Sequence, residues 1–188
     1  MSTYSKPLGG FSLDKLAAML RGSSTVRVVD VMWVPTVSAL LIVASGLVGY
    51  WLKQPWLFAG IGPSAYMIAS APSQETSRFR NVVVGHLAAI AVAYVVLLVL
   101  NVHSTTALLA ASKLSLPRLW ASAIGLGHLA LVQPQLKAYH PPAAATLLMI
   151  TLGLFRTTGR APLALMGGVV VVAVLGELLN RLRPSRAR

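Results

Sequence analysis

Four apolar runs, each close to the thickness of a bilayer, constrain this chain more than anything else in it. They cover residues 34–51, 82–100, 119–132 (with weaker flanks) and 161–179. A membrane-spanning helix needs roughly 20 predominantly apolar residues, within a range of about 17–25. Only 11% of the 188 residues are charged, whereas a soluble domain carries about 25%, and mean hydropathy is +0.73. Lipid offers the backbone no hydrogen-bond partner, so a span must be a helix or part of a closed barrel. Runs of this length select helices, and an all-α polytopic membrane protein is expected.

The net charge of +12 is placed as a membrane protein places it. Lys15, Arg21 and Arg27 precede the first run, while Arg181, Arg183, Arg186 and Arg188 follow the last. Basic residues flanking spans mark the cytoplasmic side. Both termini are therefore expected in the cytoplasm, across the cell's inner membrane, with an even number of crossings. The partners implied are anionic lipid headgroups and not nucleic acid. Residues 11–21, FSLDKLAAMLR, put most of their apolar side chains on one helical side, as a surface-lying helix does. The organisation read from this is an interfacial segment over 1–30, a transmembrane domain over 31–180 and a basic tail over 181–188.

The membrane domain carries an internal repeat. Residues 38–65 and 117–144 align without gaps at an offset of 79, with eleven identities in 28 positions, including Gln54/Gln133, Pro55/Pro134, Ala59/Ala138 and Pro63/Pro142. Two homologous halves are expected, about 31–102 and 115–180. Each would have two long spans and one short, proline-initiated membrane segment entered through a Gln-Pro break. If the short segments cross, the halves are inverted and the crossings number six; if they re-enter, the halves are parallel and the crossings number four. Internal repeats with broken helices meeting near mid-membrane are a recurrent transporter plan. Small residues spaced four apart, at Ser45/Gly49, Gly85/Ala89, Ala121/Gly125, Ala123/Gly127 and Ala164/Gly168, suit close helix contact within a bundle or a homo-oligomer.

The chemistry is expected where the short segments begin. Proline at the first helical positions gives up an amide that would be orphaned anyway. The amides of Ala143 to Ala145 would then stay free, forming a partly positive surface for a small anion. The first half offers Gly62, Pro63, Ser64 and Ala65; the second offers His140, Pro141, Pro142, Ala143 and Thr146. His86 and His128 lie within apolar runs, and ionisable groups there are functional suspects. His140 abuts a helix start, and an unperturbed imidazole has a pKa of about 6.5, so it is read as a hydrogen-bond donor or proton partner to the anion. The only carboxylates are Asp14, Asp30, Glu75 and Glu177, and cysteine is absent. That excludes disulfides, thiolate chemistry and a carboxylate-lined cation pore, and no metal site is expected. No catalytic motif stands in the chain, so neither enzyme activity nor a cofactor is expected.

Taken in order, Gly62-Pro63-Ser64-Ala65, Ala71-Pro72, Arg80-Asn81 followed by Gly85-His86-Leu87, and His140-Pro141-Pro142-Ala143-Ala144-Ala145-Thr146 resemble the HPP family of integral membrane proteins. The resemblance spans roughly residues 33–180. The family is usually described with four transmembrane segments, and some members are associated with nitrite transport. The resemblance therefore implies a channel or transporter for nitrite or a related small monovalent anion, with Asn81 joining His86 as a gate or pathway residue. The alternatives are a non-transporting assembly module and a permease for a neutral solute.

Overall fold

The computed structural model describes residues 28–103, 105, 107, 112–155 and 161–182. The surface helix expected over 11–21, Lys15, Arg21 and Arg27, and the tail arginines Arg183, Arg186 and Arg188 lie outside the described residues. The chain divides after Met32 into two compact units. Residues 28–32 of the first are helical; the second, Trp33–Arg188, holds everything that follows.

The helices are α1 (Val28–Trp51), α2 (Ile61–Ser70), α3 (Phe79–Val99), α4 (Leu116–Gln135), α5 (Ala143–Thr151) and α6 (Ala161–Leu182), with a 3-10 turn over Glu75–Ser77. The order is long, short, long, and then long, short, long again. Stretches of α1, α3 and α6 (Met32–Trp51, Phe79–Val99 and Pro162–Leu182) are long and apolar enough to cross a membrane. With 20 residues α4 has the length, but Arg118, His128 and Gln133 dilute its hydropathy. At 1.5 Å per residue α2 and α5 are only about 14–15 Å long, half of a hydrocarbon core of about 30 Å.

Four of the helices stop in the same way. After α1, α3, α4 and α5, a single residue turns left-handed: Lys53 (φ 54°), Asn101 (φ 53°), Lys137 (φ 49°) and Gly153 (φ 72°). Each time the next amide reaches back five residues and the left-handed residue's own amide reaches back three. At α4, for example, Ala138 N–H donates to Gln133 O at 3.0 Å and Lys137 N–H to Pro134 O at 2.9 Å. This paired bonding satisfies carbonyls that a helix end would otherwise orphan. It also corrects the expected Gln-Pro break. Gln54 and Pro55 do follow α1, but Gln133 and Pro134 lie inside α4, which runs to Gln135 before the left-handed turn at Lys137. A proline in the last turn forfeits one hydrogen bond, and the left-handed turn beyond it recovers the carbonyls.

Contacts between elements give the direction of each. Arg80, at the start of α3, donates to Leu136 O at 2.9 Å and to Lys137 O at 2.5 Å, so α3 begins where α4 ends. Arg118, at the start of α4, donates to Thr151 O at 2.7 Å and to Thr105 O, so α5 ends where α4 begins. The segment 136–155 therefore runs from one end of the bundle to the other, and α5 supplies only its second part. Likewise Gly167 and Gly168 on α6 lie against Trp56, Gly176 lies against Ile68, and Asn180 Nδ2 donates to Ile68 O at 3.1 Å. Residues 56–70 thus run alongside α6 in the same direction.

Two apolar cores flank this arrangement. One joins α3, α4, α5 and α6 through Ala89, Ala93, Ala121, Leu129, Leu147 and Leu165. The other joins α1, α2, α3 and α6 through Leu41, Ile61, Ile68, Val82 and Val172. Small residues let backbones close up: Ser45/Gly49, Gly85/Ala89, Ala121/Gly125 and Ala164/Gly168 are buried, whereas Ala123 and Gly127 are exposed.

Candidate functional site

The irregular backbone after α4 turns inward at Ala138 and His140, which are buried, while Leu136, Lys137 and Tyr139 are exposed; carbonyls that face the protein need partners there. The first two turns of α3 supply several. Besides the Arg80 clamp, Asn81 Nδ2 donates to Tyr139 O at 3.3 Å. Gln133, on α4, holds His140 from both sides: His140 N–H donates to Gln133 Oε1 at 3.2 Å, and Gln133 Nε2 donates to His140 O at 3.3 Å. Gly85 makes the approach possible, since a Cβ there would come within 2.7 Å of His140 Cβ.

So positioned, the imidazole of His140 enters a fully enclosed polar cluster. Ser64 Oγ lies 2.9 Å from His140 Nε2, 2.9 Å from His86 Nε2 and 2.9 Å from Gly60 O. His86 Nδ1 is 2.8 Å from Thr146 Oγ1, and His140 Nδ1 is 2.7 Å from Thr76 O. His86, His140 and Thr146 have 0% of their surface exposed and Ser64 has 1%. The two imidazole centroids are 5.2 Å apart, and Phe58 covers His86 edge-on. His86 stands seven residues into α3, about 10 Å from its start.

The two short helices meet here. A Cβ on Gly60 would overlap Thr146 Oγ1, so the residue ahead of α2 must be glycine for the first turn of α5 to come this close. Ser64, one turn into α2, then faces the histidine that precedes α5.

Ser64, His86, His140 and Thr146 are thus brought together as the sequence reading expects, but the way they act differs. The amides of Ala143, Ala144 and Ala145 are not free. They donate to the carbonyls of His140, Pro141 and Pro142 at 3.0–3.1 Å, because both prolines precede α5 in a turn that consumes its first donors. The hydroxyls of Ser64 and Thr146 are likewise turned to the histidines. The centre is therefore a side-chain cluster and not a cradle of main-chain amides.

Other expected site residues lie around it or apart from it. Ala65 and Ala143 belong to the two apolar cores, Pro142 is buried, and Gly62, Pro63 and Pro141 are exposed. Asn81 anchors the loop before His140. His128 is exposed on α4, its Nδ1 2.8 Å from its own helix's Ile124 O, and it takes no part in the cluster. Arg80, which stands beside Asn81 in the sequence motif, clamps a helix end. No site role was expected for Gly60, Gln133 or the Thr76 carbonyl, and Gly85 was expected only as a close helix contact. The nearest sequence signal for them was the Gln133/Gln54 identity, and Gln54 is exposed.

The geometry fixes most of the protons. A carbonyl accepts only, so His140 must carry its proton on Nδ1 toward Thr76 O. Its bare Nε2 then accepts from Ser64 Oγ–H, Ser64 Oγ accepts from His86 Nε2–H, and His86 Nδ1 accepts from Thr146 Oγ1–H. The four side chains form one continuous, uncharged chain of donors. Among the described residues no group of three or more His, Asp or Glu side chains could hold a metal ion.

Residues 23–188 match a family model described as HPP, transmembrane region. No curated protein and no solved structure matches the chain.

Proposed function

The chain belongs to the HPP transmembrane family, and from that premise we propose that it carries a small monovalent anion, nitrite first, across a membrane. The observation that carries this reading is the enclosed cluster of Ser64, His86, His140 and Thr146 at the junction of two interrupted helices. When the cluster gains a proton it holds a positive charge in an apolar bundle. Such a charge is costly unless it is compensated. An anion about 4 Å away recovers about 4 kcal/mol at an effective dielectric constant of 20, and one charge calls for a monovalent partner.

The reading includes a topology. We take the two halves as homologous and inverted, with 52–70 and 136–155 each completing a crossing, six in all, both termini in the cytoplasm and the whole in the inner membrane. Ser77 Oγ donates to Met67 O at 3.1 Å, so 56–70 ends beside the start of α3, where 136–155 begins; these opposed directions support the reading. Assembly into a homo-oligomer through the exposed Ala123–Gly127 face of α4 belongs to the same proposal. The protein acts as a carrier or channel without a cofactor and not as an enzyme.

The test is uptake of nitrite, nitrate and chloride by liposomes holding the purified full chain, against protein-free vesicles. Nitrite flux above that leak is expected, with at least a tenfold loss in His140→Ala and Ser64→Ala. A folded wild-type protein that moves no anion would remove the reading. It would favour instead a non-transporting assembly module, which one feature already supports: every polar atom of the cluster finds its partner inside the chain.

A further inference from the structure

We infer that the Ser64 hydroxyl is a two-position switch that lets the cluster hold one extra proton, on His140 Nε2, without losing a hydrogen bond. The inference starts from an apparent excess. Ser64 has a single proton, yet three acceptor-capable atoms stand at 2.9 Å: Gly60 O, His86 Nε2 and His140 Nε2. In the uncharged chain the hydroxyl proton serves His140 Nε2, and Gly60 O does without it. Gly60 O is not orphaned by this, because the carbonyl ahead of a helix accepts the first intrahelical amide bond.

Adding a proton rearranges the bonds in one step. It binds the lone pair of His140 Nε2, which becomes a donor to Ser64 Oγ. The Ser64 hydroxyl rotates to donate to Gly60 O, already at bonding distance. Ser64 Oγ now accepts from both imidazoles through its two lone pairs and donates once, which fills its capacity. His86 Nε2–H, His86 Nδ1 and His140 Nδ1–H keep their partners. No heavy-atom bond forms or breaks and nothing is oxidised; the cluster gains one proton and one positive charge.

The other positions do not offer this. His140 Nδ1 faces a carbonyl in both states. His86 Nδ1 faces the Thr146 hydroxyl, and among the described residues no second acceptor comparable to Gly60 O stands by that hydroxyl. The extra proton therefore belongs to His140.

Charged groups on the surrounding elements leave that charge uncompensated. α2 and α5 contain none. On α3 the one charged residue, Arg80, is engaged with the Leu136 and Lys137 carbonyls. Lys137 is exposed, and on α4 Arg118 faces Thr151 and Thr105. Glu75, on the turn that presents Thr76, is exposed beside Arg78, and Glu177 on α6 pairs with Arg181. Among the described residues no side chain supplies the compensating charge, so it is brought in. On the anion-carrying reading above, on which this step rests, proton and anion enter together, one for one.

The experiment is magic-angle-spinning NMR of the full chain, labelled with 15N-histidine, in lipid bilayers across a pH series. At high pH His140 is expected as the Nδ1–H tautomer and His86 as the Nε2–H tautomer; on acidification His140 alone takes up a second proton. Finding His140 as Nε2–H, finding both rings in the same tautomer, or seeing His86 protonate first would overturn the switch. None of these needs a variant that folds or any transport at all. In liposomes, a pH-sensitive dye inside the vesicles should report one proton entering per nitrite above the protein-free leak. Nitrite entry with no accompanying proton would overturn the coupling while leaving anion transport standing.

Discussion

Gly60→Ala tests the junction where the two short helices meet. Gly60 has φ −71° and ψ −24°, values any residue adopts, so alanine brings no backbone strain and the effect is one of contact. The new methyl would overlap Thr146 Oγ1 and lie 3.0 Å from Phe58 Cε2. Overpacking of this kind costs about 1–3 kcal/mol. Pushing Thr146 aside also breaks its bond to His86, and side-chain hydrogen bonds in a membrane protein average about 0.6 and reach about 1.7 kcal/mol. Restricting the unfolded chain returns about 0.4–1 kcal/mol. The sum is a loss of about 2 kcal/mol, or about thirtyfold in the folding equilibrium. Reversible unfolding in mixed micelles, followed by helix content, should show it. The cycle with Thr146→Ala identifies the cause: removing the hydroxyl should recover most of the loss, whereas Thr146→Ser, which keeps Oγ, should recover little. A Gly60→Ala protein as stable as wild type, or one equally weakened in both Thr146 backgrounds, would refute the contact.

Arg80→Ala should lower the melting temperature and the nitrite flux together, because it uncouples α3 from the loop that carries His140. Arg80→Lys should rescue only in part, since one ammonium cannot match two carbonyls as a planar guanidinium does. Gly153→Ala should destabilise measurably in thermal melts, being left-handed at φ 72° with a Cβ only 2.8 Å from the Arg118 guanidinium. His128→Ala should leave liposome nitrite flux within twofold of wild type; a tenfold loss would restore this exposed histidine to the pathway.

Much of the architecture was legible because its causes are local. Proline removes a donor and fixes φ, so the short segments announce themselves at Pro63 and at Pro141-Pro142. Apolar runs mark spans by length alone. The helix stops were misread at Gln133-Pro134 because a proline in a last turn is tolerated, and the left-handed residue that ends α4 is a lysine that carries no turn signature. The expectation that the Ala143–Ala145 amides stay free failed for a similar reason: whether a helix's first donors are free depends on the turn ahead of it.

The sequence by itself determined that the chain enters a membrane, that helices are interrupted twice, and that a histidine, a serine and a threonine stand at the interruptions. These follow from hydropathy and from proline's covalent geometry, which act over a few residues. Only the tertiary structure decided that Ser64, His86, His140 and Thr146, up to 82 residues apart, share one enclosed chain of hydrogen bonds. That convergence depends on two notches without a Cβ, at Gly60 and Gly85, and on loop carbonyls that the first turns of α3 satisfy. Such closeness is a property of packing between distant segments, and no local pattern encodes it.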